Sequence, residues 1–257
     1  MKGQSEVQMI DILKTKYSQP EIDNKRREIS KLLISQSPNI KSGDVRAISP
    51  ADLELLFQLY DRIFLQNWFK ESFKGKMKFS LSKRMTKSAG MTLYPRNIRK
   101  INPEEQAFDI RIGVDFFLQY GQIEGSRTVC GLETGNSLEA LQIVFEHELC
   151  HVMEFILFKE SSCNRERFKT IAGNLFGHTE SHHRLPTNRQ IAKQKLGLEI
   201  GDTVSFTFQG KRFTGILYNI NKRATILVRD AKGLFIDPKG RRYSKYYVPL
   251  KDLECKK

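Results

Sequence analysis

Long apolar runs are missing from this chain. Stretches such as FILF stop after a few residues, far short of the ~18 that a membrane-spanning helix needs. The opening MKGQSEVQMIDILK has no apolar centre of the kind a secretory signal carries, so a cytoplasmic setting is expected. Cysteine is scarce. The four present (Cys130, Cys150, Cys163 and Cys255) make no CxxC pair, which argues against a disulfide scaffold and predicts reduced thiols. Internal repeats and low-complexity tracts are absent too. Acidic charge is in short supply, with 29 Asp+Glu against 43 Lys+Arg, a net charge of +14. That surplus favours a polyanionic partner, although a merely soluble basic surface has the same composition.

What is present suits a globular protein. The 257 residues are 39% hydrophobic and 28% charged, enough for one large domain or two modest ones. Residues 1–47 are polar and lysine-rich and read as a loosely attached helical extension. At ISPADLELLFQLYDRIFLQNWF, Ser49 suits an N-cap, Pro50 the first helical position and Asp52 the first turn, which predicts an amphipathic helix over about 50–69. KMKFSLSKRM, AGMTLYP and FDIRIGVDFF read as strands. Asn136 and Glu139 form a capping pattern ahead of a long helix reaching about Phe158, and RFKTIAGNLFG reads as a shorter helix before the loop HTESHHRLPTN. After a linker over 187–196 the texture changes to short alternating strands, which predicts a small SH3-like barrel over 197–257. This last segment has 13 Lys+Arg and 6 Asp+Glu, half of the whole chain's excess.

Chemistry concentrates at HELCH, residues 147–151. Positions four apart stand one above the other on a helix, so His147 and His151 can offer two imidazoles to one ion, with Glu148 beside it. Zinc lowers the pKa of a bound water toward ~7, and a neighbouring carboxylate can take its proton during attack on a carbonyl. The competing reading is an ordinary helix with two histidines on one face. A metzincin would continue with glycine and histidine where this chain has Glu154 and Leu157, so that class is excluded. Cys150 points roughly 100° away from His151 around the helix and reads as core.

In order, LYDRIFLQNWF, KFSLSKRMTKSAGMTLYP, FDIRIGVDFF, VFEHELCHVMEF and RFKTIAGNLFGHT resemble successive segments of the SprT-like metallopeptidases, the family that includes the DNA-dependent protease Spartan. The resemblance covers 48–186. It implies an α+β, zincin-like domain of helices packed on a small sheet, followed here by the all-β barrel. It further implies a zinc cofactor on His147 and His151, Glu148 as general base, and nucleoid-associated action on DNA-bound or crosslinked proteins with DNA as a partner. The family's third ligand is a histidine about thirteen residues past the second motif histidine. Here that count lands on Asn164, a poor ligand, with Phe168 in the place of the family's aromatic. The adjacent Cys163 is the preferred third ligand, because two-His-one-Cys sets are chemically sound. His178 and Glu166 are the alternatives.

In the barrel, basic residues alternate with aromatics, and Lys211, Arg212, Lys222, Arg223, Arg241, Arg242, Lys245 and Tyr246 are the candidate nucleic-acid contacts; the alternatives are aromatics that fill the barrel core beneath solvated lysines, and a protein-binding surface. Two functions fit the sequence: a zinc endopeptidase for DNA-associated or DNA-crosslinked proteins, or a non-enzymatic nucleic-acid or chromatin adaptor with a structural or impaired zinc site.

Overall fold

The computed structural model describes residues 11–122, 124–125 and 127–255. Residues up to 121, with 125–185, form one unit; 122–124 and the chain from 186 form a second.

In the first unit α1 (Gln19–Gln36) begins at Ser18, whose backbone and hydroxyl both donate to the Glu21 carboxylate, with Pro20 in the first turn. It buries Ile22, Ile29 and Leu33 along one face, and Ile40 and Val45 beyond it are buried as well. The expected loose extension is thereby corrected. From Ile12 onward this segment contributes to the main core, while residues 1–10 lie outside the described residues. Its high charge misleads because one of those charges, Arg26, points inward to a buried acid.

α2 (Pro50–Ile63) starts at Ser49 with Asp52 closing the capping box. It does not run to residue 69. Gln66 and Asn67 adopt positive φ, and α3 (Trp68–Ser72) follows as a separate turn. The break is stabilised by Asp61, whose carboxylate accepts from the backbone N–H of Phe69 at 2.8 Å and Lys70 at 3.2 Å.

Strands β1 (Lys76–Ser82), β2 (Gly90–Leu93) and β3 (Ala107–Gly113) form a sheet in the order β1-β3-β2, parallel between β1 and β3 and antiparallel between β2 and β3. FDIRIGVDFF is therefore strand only to Gly113; its tail turns into α4 (Asp115–Leu118), which puts both Phe116 and Phe117 in the core. A small hairpin follows, β4 (Thr128–Val129) with β5 (Leu132–Glu133). α5 (Ser137–Phe158) is capped by Asn136, whose side chain accepts from the Glu139 N–H at 3.0 Å. It is buried on most of its circumference, as befits the central helix of the unit. α6 (Glu166–Phe176) completes the unit, burying Phe168, Ile171 and Leu175.

The second unit opens with α7 (Asn188–Leu196) in place of the expected linker. Thr187 and Gln190 form its capping box, and Ala192 enters the second core beside Leu198. Six strands follow: β6 (Thr203–Phe208), β7 (Lys211–Ile220), β8 (Arg223–Arg229), β9 (Phe235–Ile236), β10 (Arg242–Pro249) and β11 (Glu254–Cys255). They pair antiparallel in the order β11-β6-β7-β8-β10-β9, a barrel-like arrangement around Val204, Phe206, Leu217, Ile226 and Val248. Gln209 and Gly210, both at positive φ, make the two-residue hairpin loop between β6 and β7. Among the described residues no helix is long and apolar enough to cross a membrane. Cys130, Cys150 and Cys163 are free thiols, and the Cys255 side chain lies outside the described residues.

Candidate metal centre and its cleft

His147 and His151 come from the middle of α5 and face one another, with their Nε2 atoms 3.2 Å apart. Two imidazole nitrogens bound tetrahedrally at ~2.0–2.1 Å to one zinc ion would stand about 3.3 Å apart, so this spacing fits the ion. Cys163, in the loop ahead of α6, completes a set of three donor atoms that all lie within 4.8 Å of one another. Phe168 of α6 packs against both rings, with centroids 4.9 Å from His147 and 4.5 Å from His151. Burial pulls the pKa of His147 down to about 2, helped by the neighbouring histidines, and that of His151 to about 4. Both imidazoles are neutral at neutral pH, the form a metal requires.

The other candidates for third ligand are placed differently. Asn164 and Glu166 are exposed. His178 gathers with Cys130 and His147 in a second, more buried group that does not include His151. Its Nε2 is 2.9 Å from Glu146 Oε2, inside a network that also holds Arg26 and the Tyr60 hydroxyl. Cys130 Sγ lies 3.7 Å from His147 Nδ1 and supplies that ring's outer contact. Cys150 is fully buried in the core, and burial pushes its thiol well up.

Glu148 turns toward the sheet. Its Oε2 accepts from the Thr92 hydroxyl at 2.7 Å, and burial pushes its carboxyl up to about 7 against that hydrogen bond. Gly90 makes this packing possible, because a Cβ there would stand 2.5 Å from Glu148 Oε1. Ser88, Thr92 and Tyr94 on one side and His147, Glu148, His151 and Cys163 on the other line an open cleft of about 370 Å³. Along it runs β2, an edge strand whose far side carries no partner strand among the described residues.

Sequence reasoning missed four participants: Thr92, Cys130, Ser161 and Glu154. Glu154 registered only as the residue standing where a metzincin has glycine, and none of the four carries a local signal. They reach the histidines and Glu148 only through the fold, for example Ser161 Oγ to His151 Nδ1 at 2.6 Å.

In the second unit all seven basic candidates are exposed. Arg212 is paired with Glu254 and Arg241 with Asp237, while Arg242 donates to the Gly233 carbonyl at 3.2 Å. Lys245 Nζ sits 4.2 Å over the Phe235 ring and 5.5 Å over Tyr218. Lys211, Lys222 and Arg223 lie at hairpin ends. Tyr246 follows the alternative of an aromatic filling the barrel: its partly buried ring packs on Phe206 and Phe213.

No curated protein and no solved structure matches the chain. The profile described as the SprT-like family matches residues 53–190, more than half of the 257. Its span holds α5, the converging His147, His151 and Cys163, and the Glu148 cleft, and the chain belongs to the SprT-like family, of zinc-metallopeptidase type.

Proposed function

We propose that this protein is a zinc-dependent endopeptidase that hydrolyses peptide bonds of DNA-associated or DNA-crosslinked proteins. The observation carrying the reading is the convergence of His147, His151 and Cys163 at the floor of an open cleft, beside a buried Glu148 poised near neutrality. His147, His151 and Cys163 would hold the zinc ion, which would supply Lewis-acid polarisation of a scissile carbonyl. Glu148 is the general base: a carboxyl with a pKa of about 7 is matched to proton transfer at physiological pH. Thr92 orients it, and the free edge of β2 offers an extended substrate chain backbone pairing alongside the cleft. Thiolate donation from Cys163 would make the ion less electrophilic than a third imidazole, which suits slow, conditional proteolysis.

The DNA-directed half of the reading rests on the second unit and the net charge of +14. Tyr218, Phe235 and Tyr247 lie on the sheet face opposite its core, with Lys245 over the first two of those rings, while Tyr243 on the same face is buried beneath Phe235 and Arg229. Cations interleaved with stacking rings suit single-stranded nucleic acid. The same face supports the second reading, a nucleic-acid adaptor without catalysis.

The test compares wild type with Glu148→Gln, each zinc-loaded, on a DNA-bound protein substrate with and without single-stranded DNA. Cleavage by wild type alone, increased by DNA, supports the protease. Equal cleavage by both removes Glu148 from the mechanism. Zinc and DNA binding with no cleavage by either establishes the adaptor.

A further inference from the structure

Glu154 lies one turn beyond His151 on α5, it is completely buried, and nothing in the catalytic proposal uses it. A buried carboxylate is costly unless its oxygens are well partnered, and here they have three donors. Oε1 accepts from Arg167 Nε at 2.7 Å; Oε2 accepts from the Ser161 hydroxyl at 2.7 Å and from the Ser162 backbone N–H at 3.1 Å. Ser161 is in turn 2.6 Å from His151 Nδ1. Because the serine hydroxyl spends its one proton on Glu154, it accepts from His151, which therefore carries its proton on Nδ1 and presents an Nε2 lone pair toward His147 and Cys163.

Two separate features of the metal centre thus meet at one carboxylate. Through Ser161 it sets the tautomer and ring orientation of His151. Through Ser161 and Ser162 it pins the loop immediately before Cys163, while Arg167 ties in the start of α6, which carries Phe168 beneath both imidazoles. The Arg167 guanidinium is also stacked 3.9 Å from the Phe158 ring, so the clamp spans both ends of the loop. We infer that Glu154 is the positioning residue that couples His151 and Cys163 into one metal site, acting through Ser161. The inference rests on the reading that His147, His151 and Cys163 hold a metal.

Cobalt(II) serves as the probe, titrated into metal-free protein while the thiolate-to-metal charge-transfer band and the ligand-field bands are recorded. Wild type should show both. Ser161→Ala should weaken uptake by about 10- to 100-fold, the range for loss of an outer-shell partner, with the thiolate band retained. Ser161→Thr, which keeps the hydroxyl, should restore it. Glu154→Gln should weaken uptake at least as much and also diminish the thiolate band, because the loop before Cys163 is released. If Glu154→Gln fails to fold, the Ser161 pair still decides. Ser161→Ala and Ser161→Thr proteins that both match wild type in affinity and spectrum overturn the inference while leaving the metal site standing. A wild type that takes up no cobalt overturns the metal-site reading and this one with it.

Discussion

Arg26 grips Glu146 through two parallel hydrogen bonds, Nε to Oε1 at 2.8 Å and Nη2 to Oε2 at 2.6 Å, across 120 residues of sequence. Burial alone would push the Glu146 carboxyl up; the guanidinium, with hydrogen bonds from Arg26 and His178, holds it below the usual range. Glu146 immediately precedes His147, so α1 anchors α5 directly beside that histidine. Replacing Arg26 with Met strands a buried carboxylate and should cost about 3–5 kcal/mol of stability. Chemical denaturation reads this directly, and a loss below about 1 kcal/mol would return α1 to the status of an appendage.

Metal binding should show in stability as well as activity. Zinc at a hundred times its dissociation constant stabilises a folded site by ~2.7 kcal/mol. The thermal transition should rise with zinc, fall with a chelator, and lose most of this response in Cys163→Ala. An unfolding curve indifferent to zinc in the wild type would count decisively against the centre.

The helix that carries His147 and His151 was legible because its signals are local. Asn136 and Glu139 cap it, and the four-residue spacing of His147 and His151 needs only helical geometry. Cys163 could be nominated by counting thirteen residues from His151 against the family pattern and by thiolate chemistry. What escaped depends on long-range placement. Asp61 breaks α2 by capping the backbone of Phe69 and Lys70, a contact that the leucine periodicity hides. The segment 1–47 read as solvated because it is polar, yet Arg26 spends its charge inside. Tyr246 read as a stacking surface because alternation in β10 does not say which face of the sheet meets the core.

Glu148 gives a pH signature in the metal-free protein. Its pKa of about 7 in the fold exceeds the ordinary 4.5, so folding favours the protonated form. The associated stability is fully present below pH 4.5 and is lost as pH rises through 7. Glu148→Gln lacks this titration. Its stability relative to wild type should therefore climb by about 3 kcal/mol between those limits. A difference that stays flat with pH would show that Glu148 titrates normally.

At Gly90, β2 comes so close to α5 that there is no room for a side chain beside Glu148. A methyl group there would meet Glu148 Cγ and Val144 Cγ1, each at 2.8 Å, as well as the carboxylate. Gly90→Ala should push Glu148 off Thr92, costing about 1–3 kcal/mol of stability and on the order of 10²-fold in peptide cleavage. Cobalt uptake should survive, since His147, His151 and Cys163 are untouched. Loss of metal along with activity would mean that the strand supports the ligands rather than the base.

On the second unit, Tyr247 is 64% exposed and Tyr218 46%, the latter while still in contact with Phe235 and Lys245. If they stack on bases, Tyr247→Ala should weaken binding of single-stranded DNA by about 1–3 kcal/mol without changing its salt dependence. Lys245→Ala should act in the opposite manner, lowering the salt slope by about one counterion while leaving the stacking contribution in place. Fluorescence anisotropy across a salt series separates the two. Variants that bind as wild type at every salt concentration would move nucleic-acid contact away from this face, and leave its rings free for a protein partner.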